Sequence, residues 1–195
     1  MSYSVTTPPE SEIMTAQDAV LRQHLNLGAD EADWDELIDA YIASARARAE
    51  SYTRKKFLTQ TIQAIFTVRG NSALALPVGP VQSVISVEYL DDEGNWVTVE
   101  AGEYRVHLYG TPAYLVPETG ADWPYAPILQ ADNLRINYVA GFGDESDAVD
   151  RDILQAIRVM VAFDFVNRGD DRRAVFSNGL HPAAEDTLSR HRDWF

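Results

Sequence analysis

The sequence predicts an α+β fold: a small helical bundle with an inserted antiparallel β module and a C-terminal tail. Apolar residues recur every three or four positions near both ends of the chain, as in helices, whereas between them apolar and polar residues alternate. Short alternating runs joined by close turns are typical of an antiparallel sheet. The 195 residues therefore divide into an extended N-terminal arm (1–14), a first helical part (15–57), the β module (58–142), a completing helix (143–168) and the tail (169–195).

Two helices are predicted before the β module. The first has Thr15 as its N-cap and ends at Gly28, because Thr caps helices and Gly ends them. The second begins at Asp30 and carries one apolar stripe, which consists of Trp34, Leu37, Ile38, Tyr41, Ile42, Ala45, Ala49 and Tyr52. Its first half holds the carboxylates Glu31, Asp33, Asp35, Glu36 and Asp39. Because no His accompanies them and they lie off the stripe, we predict a solvated face.

Seven strands are predicted in the β module, folded over into a small sandwich or barrel-like layer. They cover 59–68, 73–76, 81–90, 96–99, 104–109, 113–116 and 134–138. On the longest strand, the side chains expected to share one face are Val81, Ile85, Val87 and Tyr89. The segment 117–133 has no periodicity, and a loop of this length is either disordered or used for contact.

The completing helix is apolar around much of its girth. With Asp147 as N-cap, its main stripe consists of Val149, Ile153, Leu154, Ile157, Met160, Val161 and Phe165. Val159, Phe163 and Val166 lie off that stripe, and a helix of this kind needs cover on two sides. One side can face the first helices of the same chain. We take Val159, Phe163 and Val166 as a candidate interface with a second subunit.

The tail is polar up to a short helix after Pro182, a residue suited to a first helical turn. Its large apolar groups are Leu188, Trp194 and Phe195. An end that carries two adjacent aromatic residues is expected to dock, either on its own domain or on a partner, where aromatic anchors supply much of the binding energy.

The charge and composition restrict the function. A net charge of -14 opposes tight binding of nucleic acid, which depends on Lys and Arg. It indicates either simple solubility or a surface that nucleic acid passes without adhering. The chain has no Cys, which excludes disulfides and thiolate chemistry. Residues 1–15 do not resemble a signal peptide and no run is long enough to span a bilayer, so we expect a soluble protein with no membrane partner.

Three partial motifs are better explained by structure than by chemistry. Gly141 and Gly143 precede a helix as in a dinucleotide loop, but the third glycine is absent and Asp144 with Glu145 would repel a pyrophosphate. The acidic run 91–95 lacks the closing Glu of a calcium loop. The four His have no metal-ligand spacing. We therefore predict no catalytic residue, no cofactor and no metal, and a protein that is not an enzyme.

Several local strings, in this order, resemble the head-tail connector (adaptor) proteins of tailed bacteriophages and gene transfer agents. The similarity covers roughly residues 15–168. The matching strings are ESYTRKKFLTQT (50–61), LPVGPVQSVISVEY (76–89), YRV (104–106), WP (123–124), YVAGFGD (138–144), ILQAI (153–157) and FVNR (165–168).

The resemblance implies a place and a set of partners. Adaptors form a dodecameric ring beneath the portal protein of the filled head and present a surface to a stopper or tail-completion protein. DNA passes through the lumen without sequence-specific binding. The implied location is the neck of a virion assembled in the host cytoplasm. The C-terminal segment of the family tends to reach the portal, which here implies the docking residues Arg172, Arg173, Leu188, Arg192, Trp194 and Phe195.

A carbohydrate- or host-surface-binding accessory virion module is the alternative reading of the β module. Its ligand would lie on Trp96, Tyr109, Tyr114 and Trp123. Exposure of the rings distinguishes the two, because coplanar solvent-facing rings favour binding and buried rings favour packing. Another neck position, a stopper or tail terminator, is a third possibility that the helix–sheet–helix order disfavours.

Overall fold

The computed structural model describes residues 1–28, 31–124, 131–168 and 179–194. It confirms the mixed α+β class. The helices are α1 (Ala19–Leu25), α2 (Asp35–Thr53), α3 (Arg151–Val166) and α4 (Pro182–Ser189), with 3-10 turns at Ala32–Trp34 and Ser146–Ala148. The strands are β1 (Ser2–Thr7), β2 (Gln60–Phe66), β3 (Leu74–Ala75), β4 (Val81–Leu90), β5 (Trp96–Thr98), β6 (Tyr104–His107), β7 (Tyr114–Pro117) and β8 (Leu134–Ala140).

The chain folds into two compact units. The β unit comprises Met1–Pro9 and Thr59–Phe142, and the helical unit comprises Glu10–Leu58 and Gly143–Trp194. In the order of the chain, the main part of the β unit is therefore inserted between the two parts of the helical unit.

Two antiparallel sheets build the β unit. The larger has the order β1-β2-β8-β4-β5 and the smaller the order β3-β7-β6. Side chains from both sheets form one core, in which Ile62, Leu115, Ile136 and Tyr138 are fully buried. On β2 every second residue is buried, as the alternation predicted. A shared core of this kind gives the small sandwich that the sequence indicated.

Two predictions for the β unit are wrong. The segment 1–14 is not a separate arm, because β1 pairs with β2 from Ser2 to Thr7 and Ile13 is buried in the helical unit. On β4 the predicted common face fails, because Ile85 is 57% exposed whereas Val87 is buried. The pairing of β4 with β8 shifts register twice, and each extra residue moves the following side chains to the other face.

The helical unit differs from prediction at the helix starts. Asp18, not Thr15, caps α1 and accepts a hydrogen bond from Leu21 N at 2.7 Å. Asp150, not Asp147, occupies the N-cap position of α3, because a 3-10 turn intervenes. The predicted first residue of the second helix, Asp30, lies outside the described residues.

The acidic first half of α2 is only partly a solvated face, which corrects the prediction. Asp35 pairs at 2.9 Å with Arg22, whose side chain is 6% exposed. Asp39 accepts a hydrogen bond from Ala16 N at 2.7 Å. Near the end of α2, Glu50 is buried and binds Lys56 Nζ at 2.9 Å and Phe57 N at 3.1 Å. Carboxylates on this helix thus hold the neighbouring loops in place.

Within the described ranges, no helix combines the length and the apolar character needed to cross a bilayer.

Candidate assembly surfaces

The end of α3 leaves an apolar surface open. Val166 is 74% exposed, and Val159 is half-buried. Phe163 is also half-buried, and its ring lies 5.2 Å from that of His181. Of the three residues predicted to form a subunit interface, Val166 is therefore the most accessible, and Phe163 is partly covered by its own chain.

The segment after α4 is anchored to the end of α2. Asp193 pairs with Lys55 at 3.2 Å, and its backbone N–H donates to the carbonyl of Thr53 at 3.1 Å. Asp193 is 8% exposed. His191 and Asp193 therefore dock on their own unit, whereas the aromatic end that was expected to dock does not do so at Trp194, which is 74% exposed.

Arg192 is held between two aromatic rings. Its guanidinium carbon lies 4.9 Å from the centroid of Tyr52 and 4.4 Å from that of Trp194. Its Nε is buried and has no hydrogen-bond partner among the described residues. Cation–π contacts orient such a side chain without neutralising its charge. Trp194 is 74% exposed, so one face of this arrangement is open to solvent.

A cleft lies beside this arginine. It has a volume of about 510 Å³ and is lined by Ser44, Ala47, Arg48, Ser51, Tyr52 and Arg192; we call it the Arg192 cleft. Arg48 is fixed at its edge by Asp164 at 2.5 Å and by the carbonyl of Gly179 at 2.8 Å. The floor consists of small side chains on the exposed face of α2, so a partner backbone can approach closely.

Of the other residues predicted to dock on the portal, one is buried and three lie outside the described residues. Leu188 is fully buried in the helical unit, because α4 packs its apolar face inward, and it therefore presents no surface to a partner. Arg172, Arg173 and Phe195 lie outside the described residues.

The structure brings together a His and two carboxylates that sequence reasoning missed. His191 Nε2 lies 2.8 Å from Asp152 Oδ2, and His191 Nδ1 lies 3.6 Å from Asp150 Oδ2. Partial burial acts to raise the pKa of Asp152, but the hydrogen bond and charge of His191 hold it below its ordinary value. The donor set is one that a metal accepts. Both ring nitrogens already face a carboxylate, however, so the group ties the C-terminal segment to the start of α3.

The glycine and acidic motifs are structural. A side chain at Gly143 would bring its Cβ within 2.6 Å of Ala148 Cβ, and Gly141 has φ of 143°, which L residues rarely adopt. The Asp91 carboxylate accepts hydrogen bonds from the backbone of Glu93 and Asn95. These contacts, led by the one with Asn95, lower the pKa of Asp91. The run 91–95 is therefore the predicted hairpin turn.

The four aromatic residues of the alternative reading do not form a platform. Trp123 is 1% exposed and donates to the carbonyl of Ser72 at 2.9 Å. Arg135 covers Trp96 at 4.4 Å, and Tyr114 stacks on His107 at 4.5 Å. Tyr109 alone of the four is fully exposed. Buried and covered rings indicate packing, so the observation that would favour carbohydrate binding is lacking.

Comparison with solved structures finds the same architecture elsewhere. A chain in the neck of an empty gene transfer agent particle, computed with C6 symmetry, superposes with a TM-score of 0.77 at 24% identity over 100% of this chain and 97% of that chain. The same values hold for a chain in the virion of the native particle. A chain in the native neck computed with C12 symmetry gives 0.76 and 22%, with the same coverage. The fold is that of these neck-particle chains.

Identity below a quarter establishes the fold and no more. No family model matches the chain, and no curated protein matches it either. The matches nevertheless cover 100% of this chain and 97% of each matched chain, so the likeness includes the helical unit, the β unit and the order in which the chain builds them.

Proposed function

We propose that this chain is a structural, non-enzymatic component of the neck of a tailed-phage-like particle, located in the virion. More specifically, it acts as a head-tail adaptor: a dodecameric ring beneath the portal that links it to a stopper or tail-completion protein, while DNA passes through the lumen. The observation that supports this most strongly is the full-length similarity to chains from gene transfer agent necks and virions. The symmetry of those necks, C6 or C12, agrees with a ring.

The charge of the chain is compatible with a conduit. With 30 acidic and 16 basic residues, the net charge repels phosphates, whereas a DNA-binding surface gains affinity by replacing counterions with Lys and Arg. A lumen lined by such a protein would let DNA move through it without adhering. Sequence-specific contacts with bases are not part of the proposal.

Two surfaces are assigned to assembly. The end of α3, with Val159, Phe163 and Val166, supplies a subunit contact, since a ring closes by a heterologous interface that buries two different patches of each copy. Of the residues predicted to dock on the portal, Arg172, Arg173 and Phe195 stay candidates for that contact, whereas Arg192 and Trp194 are candidates for a second contact between copies. The exposed ring of Trp194 and the guanidinium of Arg192 are groups of the kinds that dominate binding energy at protein interfaces.

Native mass spectrometry of the chain, alone and mixed with the portal protein of the same particle, tests the proposal. We expect an assembly of about twelve copies of the 21.8 kDa chain in at least one of the two samples, since partners often order segments on binding. A chain that stays monomeric in both would contradict the adaptor assignment.

A further inference from the structure

We infer that the Arg192 cleft receives a carboxylate-bearing segment of the next copy of this chain. The inference rests on the proposed ring and names one of its contacts: each copy offers the cleft to one neighbour and a carboxylate to the other.

Arg192 differs from most cations of the chain in having no carboxylate partner among the described residues. Nine others pair with carboxylates of their own chain, namely Arg22, Arg46, Arg48, Lys55, Lys56, Arg105, Arg135, Arg158 and Arg190. Within the described part of the chain, the recorded contacts of the Arg192 guanidinium are with the rings of Tyr52 and Trp194. A guanidinium that is partly desolvated and unpaired gains free energy when a carboxylate reaches it.

The cleft has room for a peptide segment. Its volume of about 510 Å³ lies within the range of sites that hold organic ligands. Ser44, Ala47 and Ser51 are exposed on its floor, and their small side chains let a backbone approach α2. At the rim, the exposed ring of Trp194 can pack on an apolar side chain next to the incoming carboxylate.

Charge determines which kind of segment fits. Arg48 is already neutralised by Asp164, at 2.5 Å, so the unbalanced charge of the cleft is that of Arg192. An acidic segment is attracted, and a basic one is repelled. Because two planar N–H groups of a guanidinium can bind one carboxylate at once, such a contact also fixes the orientation of the partner.

The neighbouring copy is the occupant that the charge balance favours. A chain of net charge -14 repels its own copies unless a contact brings opposite charges together. The chain has 30 acidic and 16 basic residues. A neighbouring copy can therefore readily offer an unpaired carboxylate to the cleft. In a ring, cleft and acid lie on different patches of the same chain, as a heterologous contact requires.

Site-specific photo-cross-linking tests the occupant. Because the chain has no Cys, Ser51→Cys creates one thiol on the cleft floor, to which a benzophenone maleimide can be attached. After irradiation of the assembled protein, alone or on the portal, we expect a covalent adduct to another copy, and peptide mass spectrometry should place it next to an Asp or Glu. Adducts to the portal alone, or none in a sample that contains the ring, would overturn the inference.

A matched pair of arginine variants tests the charge. Arg190 lies two positions away, is paired with Asp186 at 2.6 Å and is 65% exposed in its side chain. We expect Arg192→Ala to raise the concentration needed for half-assembly by about tenfold or more, since loss of one member of a desolvated charge pair is costly. Arg190→Ala should change it by less than about twofold, as exposed pairs contribute little.

Arg192→Lys is the control for a folding defect. It keeps the charge and should recover part of the assembly, and the thermal midpoint of each variant is measured on the unassembled chain. If wild-type rings form and Arg192→Ala forms them equally well, the inference fails while the proposed function stands. If the wild-type chain forms no ring in either setting, the proposed function fails, and the inference fails with it.

Discussion

Replacing Val166 with aspartate should separate assembly from folding. Val166 is the last residue of α3 and is 74% exposed, so most of its side chain is in water before assembly. Burying this exposed part in a subunit contact contributes about 1 kcal/mol, taking roughly 1.5 kcal/mol for a fully buried Val. An aspartate at the same place loses this gain and brings an unpaired charge into the contact. We expect about 2–4 kcal/mol less association energy per contact, or roughly 30- to 1,000-fold weaker binding.

Folding of the single chain should change little in the same variant. Exposed substitutions usually alter the free energy of unfolding by less than about 0.5 kcal/mol, and a carboxylate at a helix C-terminus adds up to about 1 kcal/mol of unfavourable dipole interaction. Circular dichroism melting measures the stability of the single chain, and native mass spectrometry measures its assembly. Val20→Asp is the control, since Val20 is 49% exposed and lies on α1. If Val166→Asp forms rings at the same concentration as the wild-type chain, the role of this surface in assembly is refuted.

Three further predictions concern stability. Glu50→Gln should lower the free energy of unfolding by about 3 kcal/mol, because it leaves Lys56 without its buried partner; urea titration measures this, with the exposed Glu36→Gln as control. Trp123→Ala should cost about 3–5 kcal/mol in the β unit through the cavity it leaves, and an unchanged urea midpoint would contradict the packing described. Asp18 has a pKa below its ordinary 3.8, since the hydrogen bond and charge of Arg158 outweigh partial burial. The stability that the Asp18 carboxylate contributes is therefore complete above its pKa in the unfolded chain and is lost as pH falls through its pKa in the folded chain. Asp18→Asn should therefore flatten the loss of stability below about pH 4.

Periodicity predicted the elements well because both periods are set by local geometry. On β2 the alternation of Ile62 and Ala64 with Thr61 and Gln63 matches the observed burial, and Pro182 begins α4 as expected. Ile85 was misplaced because the register shifts of β4 depend on pairing with β8, which no local pattern records. The strand β1 was missed although Tyr3 and Val5 alternate with Ser2 and Ser4: the run is short, and none of its residues is buried, so its place in the sheet depends on pairing with β2.

The assembly surfaces were only partly visible in the sequence. Val166 could be singled out because it falls off the buried stripe of α3. The Arg192 cleft could not, because it joins α2 to a residue about 140 positions later. The pairing of His191 with Asp152 was hidden in the same way.

The central claim is that many copies of this chain form a ring in the neck of a particle. Electron cryomicroscopy of particles that contain the chain tests it most directly, since one image fixes position, copy number and contacts. We expect a coaxial ring of about twelve copies between portal and tail, with Val166 and the Arg192 cleft at contacts between chains. Density for this fold away from the neck axis, or a ring in which both surfaces face solvent, would contradict it.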